Sequence, residues 1–138
     1  ELGAHEVIEA GRDPVAPRVL SLVPDGVDFA LDTTGVASVM RQAIEVLAPR
    51  GTFGFVTAPH DGSELSLSMR ALMKGRKVVG IMEGNSNPNV FIPRLVDFFM
   101  RDQFPFDRLV RFYPFEKIRQ AFYDSEAGTA VKPILRMS

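Results

Sequence analysis

The sequence predicts an α/β fold built on a parallel sheet, followed by a second structural unit. Two observations carry this. Short apolar runs alternate with amphipathic stretches from Glu6 to Met82, the rhythm of strand–helix units joined by crossovers that place helices on both faces. The runs at 27–31 and 52–56 are apolar almost throughout, as expected of strands covered on both faces.

Taken in order, Glu6-Val7-Ile8-Glu9 predicts a short strand, and Asp13-Pro14 an N-cap with proline at the first helical position, opening a helix to about Val23. Val27-Asp28-Phe29-Ala30-Leu31 is the next strand, broken by Asp32-Thr33-Thr34-Gly35. Val36, Val39, Met40, Ala43, Ile44 and Leu47 recur at helical spacing, and Pro49-Arg50-Gly51 ends that helix. A strand follows at 52–56, then a polar loop with Pro59 and Gly62. A short helix at 68–74 is stopped by Gly75, and a strand runs over 77–82. From about Glu83 the rhythm changes, so the expected division is 1–83 and 84–138. Asn87-Pro88 opens a helix to about Asp102, with Pro93 in its early turns. A strand at 109–112, a helix at 115–127 closed by Gly128, and a strand at 130–136 complete the chain.

A chain of 138 residues can bury a core of its own. The formal net charge of -1 gives no pull toward nucleic acid or anionic membrane. No apolar run approaches the ~18–20 residues that span a bilayer. The chain starts at Glu1 without a basic-then-apolar leader, so no signal peptide is visible; the expected location is cytoplasmic. With no cysteine there is no disulfide, thiolate–zinc site or cysteine nucleophile. His5 and His60 lack metal-ligand spacing and read as solvated loop residues. Asp107, Asp124 and Glu126 read as a solvated face, and the phenylalanines from Phe91 to Phe122 as core and contact aromatics.

Ligands of open parallel sheets collect at the carboxyl ends of the strands. Those ends are Asp32-Thr33-Thr34-Gly35, Val56-Thr57-Ala58-Pro59 and Ile81-Met82-Glu83-Gly84. The first offers hydroxyls and a glycine; the others offer backbone N–H and C=O groups, the partners a planar carboxamide needs. Any α/β domain has such turns, so the residues alone leave a cofactor role and plain connections both open. The eleven glycines nowhere form the phosphate-cradling G-x-G-x-x-G between a strand and a helix. Lys132 reads as an exposed strand lysine or as a point charge for a phosphate.

The stretch from Phe104 to Met137 carries Tyr113-Pro114-Phe115-Glu116-Lys117-Ile118, then Ala121-Phe122, then a closing strand from Gly128 to Leu135. In this order they resemble the C-terminal end of the zinc-containing alcohol dehydrogenases of the medium-chain dehydrogenase/reductase superfamily, closest in look to the aryl- and benzyl-alcohol enzymes. The likeness reaches back to Glu1. It implies a partial doubly wound, Rossmann-like parallel sheet lacking its first strands, joined to the returning C-terminal segment of the catalytic domain. Glu1-Leu2-Gly3-Ala4 would be the end of the helix after the second strand. The glycine fingerprint and ribose-binding acid would precede this segment. Thr33, Thr34 and Gly35 match the turn after the fourth strand. Val56, Thr57 and Ala58 match the segment whose backbone holds the nicotinamide carboxamide, with Thr57 standing where many relatives have glycine. Ile81 and Glu83 match its partners; Ala58 and Met82 would face the substrate pocket, and Lys132 would meet the cofactor pyrophosphate.

What the resemblance implies for function is a parent enzyme that oxidises a primary, aromatic alcohol to its aldehyde with NAD. A zinc ion would be held by ligands absent from these residues, so the chain alone is expected to be inactive. The small-molecule alcohol and aldehyde would be its partners. A homo-oligomer, at least a dimer, would form through the strand edge Lys77-Val78-Val79-Gly80-Ile81-Met82, with Glu6 to Glu9 displaced or swapped from its family position. A zinc-free quinone or enoyl reductase of the same superfamily, and a non-catalytic oligomerising module, are the alternatives.

Overall fold

The computed structural model describes residues 2–11, 14–58 and 60–137. The chain divides into two compact units, Gly3–Ser86 and Asn87–Ser138. No helix among the described residues is long and apolar enough to cross a membrane.

The first unit runs α1 (Val15–Leu22), β1 (Val27–Asp32), α2 (Ala37–Glu45), β2 (Leu47–Phe55), α3 (Met69–Leu72) and β3 (Lys77–Gly80). The three strands form one sheet in the order β1-β2-β3, parallel throughout. Met40 and Ile44, one turn apart on α2, drive onto Phe53 and Leu47 of β2 to make the core, with Val27, Ala30, Phe55, Leu65 and Leu67 packed around it. Ile44 and Phe53 are fully buried, each contributing about 1.5–3 kcal/mol by removal from water.

Several expectations are corrected here. No strand forms at Glu6-Val7-Ile8-Glu9; a single bridge at Ala10 is all that remains. Val7 is 84% exposed, and Ile8 instead lines a groove with α1, β1 and α2. Leu2, Gly3 and Ala4 are not helical, and Glu1 lies outside the described residues. So does Asp13; Pro14 stands at the N-cap of α1.

Pro49-Arg50-Gly51 does not separate helix from strand but lies within β2. The register jumps from Val27↔Leu47 to Phe29↔Thr52, so the extra residues bulge out. Arg50 takes φ 66 and donates its N–H to the Lys74 carbonyl at 3.0 Å. Arg76 secures this corner, its guanidinium reaching the carbonyls of Glu45, Leu47 and Ala48. Nor are the strands covered on both faces: opposite the core, Phe29 is 80% and Leu31 62% exposed. The pattern of a doubly covered strand is present, but among the described residues its second cover is not.

The second unit runs α4 (Pro88–Met100), β4 (Val110–Pro114), α5 (Ile118–Glu126) and β5 (Lys132–Arg136). Asn87 caps α4 by accepting from the Asn89 N–H at 3.0 Å, and Pro88 fills the first turn, where no N–H is needed. β4 and β5 pair in parallel, from Val110↔Lys132 to Pro114↔Arg136. Tyr113, Ala121 and Ala130 make the small core. Asp124, expected on a solvated face, is buried at 8% exposure. Its carboxylate accepts from the Tyr113 hydroxyl and Gln120 Nε2, both at 2.7 Å, and Arg111 lies 3.4 Å away. Its carbonyl accepts the N–H groups of Thr129 and Ala130. A buried tyrosine hydroxyl needs a partner, and that need draws Asp124 inward.

Candidate functional site

Because β1, β2 and β3 are parallel and in register, their carboxyl ends reach one edge of the sheet together. Asp32 lies opposite Phe55, and Phe55 opposite Gly80. The last rungs are Val56 N–H to the Asp32 carbonyl at 3.2 Å and Ile81 N–H to the Phe55 carbonyl at 2.9 Å. Beyond them the strands give way to three segments: Thr33, Thr34 and Gly35; Val56, Thr57 and Ala58; Ile81, Met82 and Glu83. The structure thus brings nine of the ten residues singled out in the sequence to one end of one sheet. The tenth, Lys132, opens β5 in the second unit, where it joins Ile92, Phe99, Phe104 and Val131 in lining an otherwise apolar groove of about 500 Å³.

Asp32 organises the first segment, and sequence reading passed over it as a strand breaker. It is 4% exposed. Its carboxylate accepts from Thr34 Oγ1 at 2.7 Å and from the Gly35 N–H at 2.8 Å. Thr34 Oγ1 in turn accepts the Val36 N–H at 3.1 Å, at the N-cap of α2. Burial disfavours the charged form of Asp32, but the hydrogen bonds from the Thr34 hydroxyl and from the Gly35 and Thr34 backbones outweigh it and hold the carboxyl below its usual range. The signal in sequence was Asp-x-Thr-Gly directly before a helix, the pattern of a side-chain-closed turn.

In the second segment Val56 and Ala58 are exposed and Thr57 is half-buried. Thr57 stands against Gly35: a Cβ built on Gly35 would lie 3.0 Å from Thr57 Cγ2. In the third, Ile81 folds its side chain over Gly54, where Cδ1 would lie 2.8 Å from an added Cβ. Met82 and Glu83 are exposed. The backbone then reverses its hand, with φ 47 at Glu83, 67 at Gly84 and 50 at Asn85. Asn85 closes this turn twice, donating its N–H to the Met82 carbonyl at 2.7 Å and accepting the Met82 N–H on Oδ1 at 3.3 Å.

The arrangement offers backbone groups and hydroxyls at a strand-end edge, suited to orienting a planar polar ligand. It does not offer a metal centre: no cluster of three or more His, Cys, Asp or Glu side chains exists among the described residues. His5 and His60 are both exposed.

Residues 1–101 match the model of a family described as zinc-binding dehydrogenase. Along 98% of its length the chain is 37% identical to a geraniol dehydrogenase of Castellaniella defragrans. Two solved structures superpose on 99% of it: an alcohol dehydrogenase zinc-binding domain protein from Burkholderia ambifaria, with TM-score 0.93 and 42% identity, and a benzyl alcohol dehydrogenase from Acinetobacter calcoaceticus, with TM-score 0.94 and 34% identity. The chain spans 37–38% of the length of these three relatives.

Proposed function

From the premise that this chain belongs to the zinc-binding dehydrogenase family, we propose that it is the C-terminal portion of an NAD-dependent, zinc-containing alcohol dehydrogenase acting on primary alcohols, aromatic ones among them. The observation that supports the reading is the register of the three strand ends, which sets 33–35, 56–58 and 81–83 side by side. The relatives named for geraniol and benzyl alcohol support an alcohol as substrate. Both alcohols carry an activated primary hydroxyl.

The residues present fit the nicotinamide end of a dinucleotide. Beyond the last rungs, the carbonyls of Val56, Ala58 and Ile81 and the N–H groups of Ala58 and Glu83 would orient the carboxamide, and Thr33, Thr34 and Gly35 would line the adjoining turn; Lys132, in its own unit, would serve as a counter-charge for phosphate. When bound, the dinucleotide supplies the hydride acceptor. Ala58 and Met82 would border the alcohol. Zinc does not fit these residues, since no cluster of three or more His, Cys, Asp or Glu exists among the described residues. We place the protein in the cytoplasm and read the β3 edge, residues 77–82, as the contact between two copies.

The test compares the isolated chain with the full-length protein encoded by its gene. The full-length protein should oxidise benzyl alcohol or geraniol with NAD and hold zinc, and its upstream sequence should contain G-x-G-x-x-G and a Cys/His set within about two hundred residues. The isolated chain should do neither reaction nor metal binding. A full-length protein without alcohol turnover, or an isolated chain holding one zinc, overturns the proposal.

A further inference from the structure

Gly35 and Thr57 sit on different segments of the site, yet the structure makes one the complement of the other. The turn at 33–35 is pulled from one side, where the Asp32 carboxylate holds the Gly35 N–H at 2.8 Å. On the other side stands Thr57. A Cβ on Gly35 would lie 3.0 Å from Thr57 Cγ2 and 3.4 Å from Thr57 Cβ, but 4.0 Å from Oγ1. The approach is therefore made by the methyl branch, not the hydroxyl. Thr57 Oγ1 is itself buried and finds no hydrogen-bond partner among the described residues. A buried hydroxyl left unpaired is unfavourable, so what the position uses is the branched shape.

We infer that Thr57 is a positioning residue whose γ-methyl props the turn at Gly35 at a fixed separation from the strand end at 56–58. Pinned by Asp32 and propped by Thr57, the turn keeps two of the three segments at one spacing before any ligand arrives. Preorganisation of this kind appears as affinity, because the ligand need not order the site. The φ of 69 at Gly35 favours glycine there independently of the contact, so the fit is most readily adjusted from the Thr57 side. The inference rests on the reading of 56–58 as part of the cofactor site.

Two variants separate shape from hydrogen bonding in the full-length protein, with NADH as the titrant. Thr57→Val keeps the branched shape and loses the hydroxyl; Thr57→Ser keeps the hydroxyl and loses the methyl. Thr57→Val should bind NADH within about 2-fold of wild type, while Thr57→Ser weakens binding about 5-fold, with KM for NAD rising and kcat nearly unchanged. Wild-type affinity in Thr57→Ser, or weak binding in Thr57→Val, overturns the inference. A second measurement needs no ligand. Gly35→Ala should lower the unfolding midpoint less in a Thr57→Ala background than in wild type, because the contact is gone and only the backbone strain remains. Equal losses in both backgrounds also overturn it. Failure of the wild-type protein to bind NADH would remove the proposed function but leave the steric pair to be judged by this cycle.

Discussion

Gly26 leaves less room for a Cβ than any other glycine of the first unit, and replacing it tests how β1 is seated. It enters β1 at φ 87. A Cβ there would lie 2.6 Å from the Ala48 nitrogen, 2.7 Å from the Val46 carbonyl oxygen and 2.8 Å from the Leu47 carbonyl carbon. All three are main-chain atoms, so no side chain can swing aside. Gly26→Ala therefore adds two costs: about 1–2 kcal/mol for an L-residue at positive φ, and about 1–3 kcal/mol for forcing main-chain segments apart. A more restricted unfolded chain returns roughly 0.4–1 kcal/mol, leaving a net loss of about 1–5 kcal/mol. The Val27 N–H to Val46 carbonyl bond at 2.9 Å lies at the same place and would go with it. Gly128→Ala is the control: its φ is 69, but nothing lies within 4 Å of the added methyl, so it should carry only the positive-φ cost of about 1–2 kcal/mol, less the same unfolded-state return. Urea unfolding followed by hydrogen exchange at the β2 amides reads the first unit by itself. Tyrosine fluorescence reads only the second, because Tyr113 and Tyr123 are the sole tyrosines and tryptophan is absent. Gly26→Ala should lower protection in β2 and leave the tyrosine transition in place. Equal effects of Gly26→Ala and Gly128→Ala on their own units would refute the reasoning.

Asp32→Asn should destabilise the first unit by about 2 kcal/mol or more, since charge-assisted bonds become neutral and one amide hydrogen faces the Gly35 N–H; urea titration at neutral pH reads it. Asp32 and Asp124 are both held below the ordinary carboxyl range, Asp124 through the Tyr113 and Gln120 hydrogen bonds and the nearby Arg111 against its burial. Their stabilisation is complete above the unfolded-state pKa of about 3.9 and is lost as pH falls through the lower folded values. Tyr113→Phe should move the acid unfolding of the second unit to higher pH, and an unshifted acid limb by circular dichroism would contradict this. Asn87→Ala should cost about 1 kcal/mol through loss of the α4 cap, seen as faster exchange at the Asn89 amide.

How much of this was legible in the sequence depends on where each element takes its stability. β1, α2, β3 and α4 follow from local pattern and caps, and they stand close to where that pattern puts them. The segment Glu6-Val7-Ile8-Glu9 has strand-forming residues but no neighbour to pair with among the described residues, and pairing, not propensity, makes a strand. β2 starts five residues early because its bulge is closed by the distant Lys74 carbonyl and Arg76 guanidinium, which no local window contains. The three strand ends were legible because parallel order fixes where they meet. The burial of Asp124 was not, since it depends on a tyrosine eleven residues away.

The mirror-image turn at Glu83, Gly84 and Asn85 has a consequence for how the chain can vary. Ordinarily an exposed loop accepts almost any side chain, and a mutational scan of it is flat. Here the side chains are exposed, but the backbone has taken the hand that L-residues resist. A scan would show strong selectivity where there is no packing to account for it: glycine, asparagine and aspartate accepted, valine, isoleucine and threonine rejected. A D-amino acid placed at position 84 by chemical synthesis would suit the turn better than any L-residue. The edge that carries the candidate site is thus bordered by a surface loop constrained as a core is constrained, through backbone handedness and the Asn85 hydrogen bonds rather than packing.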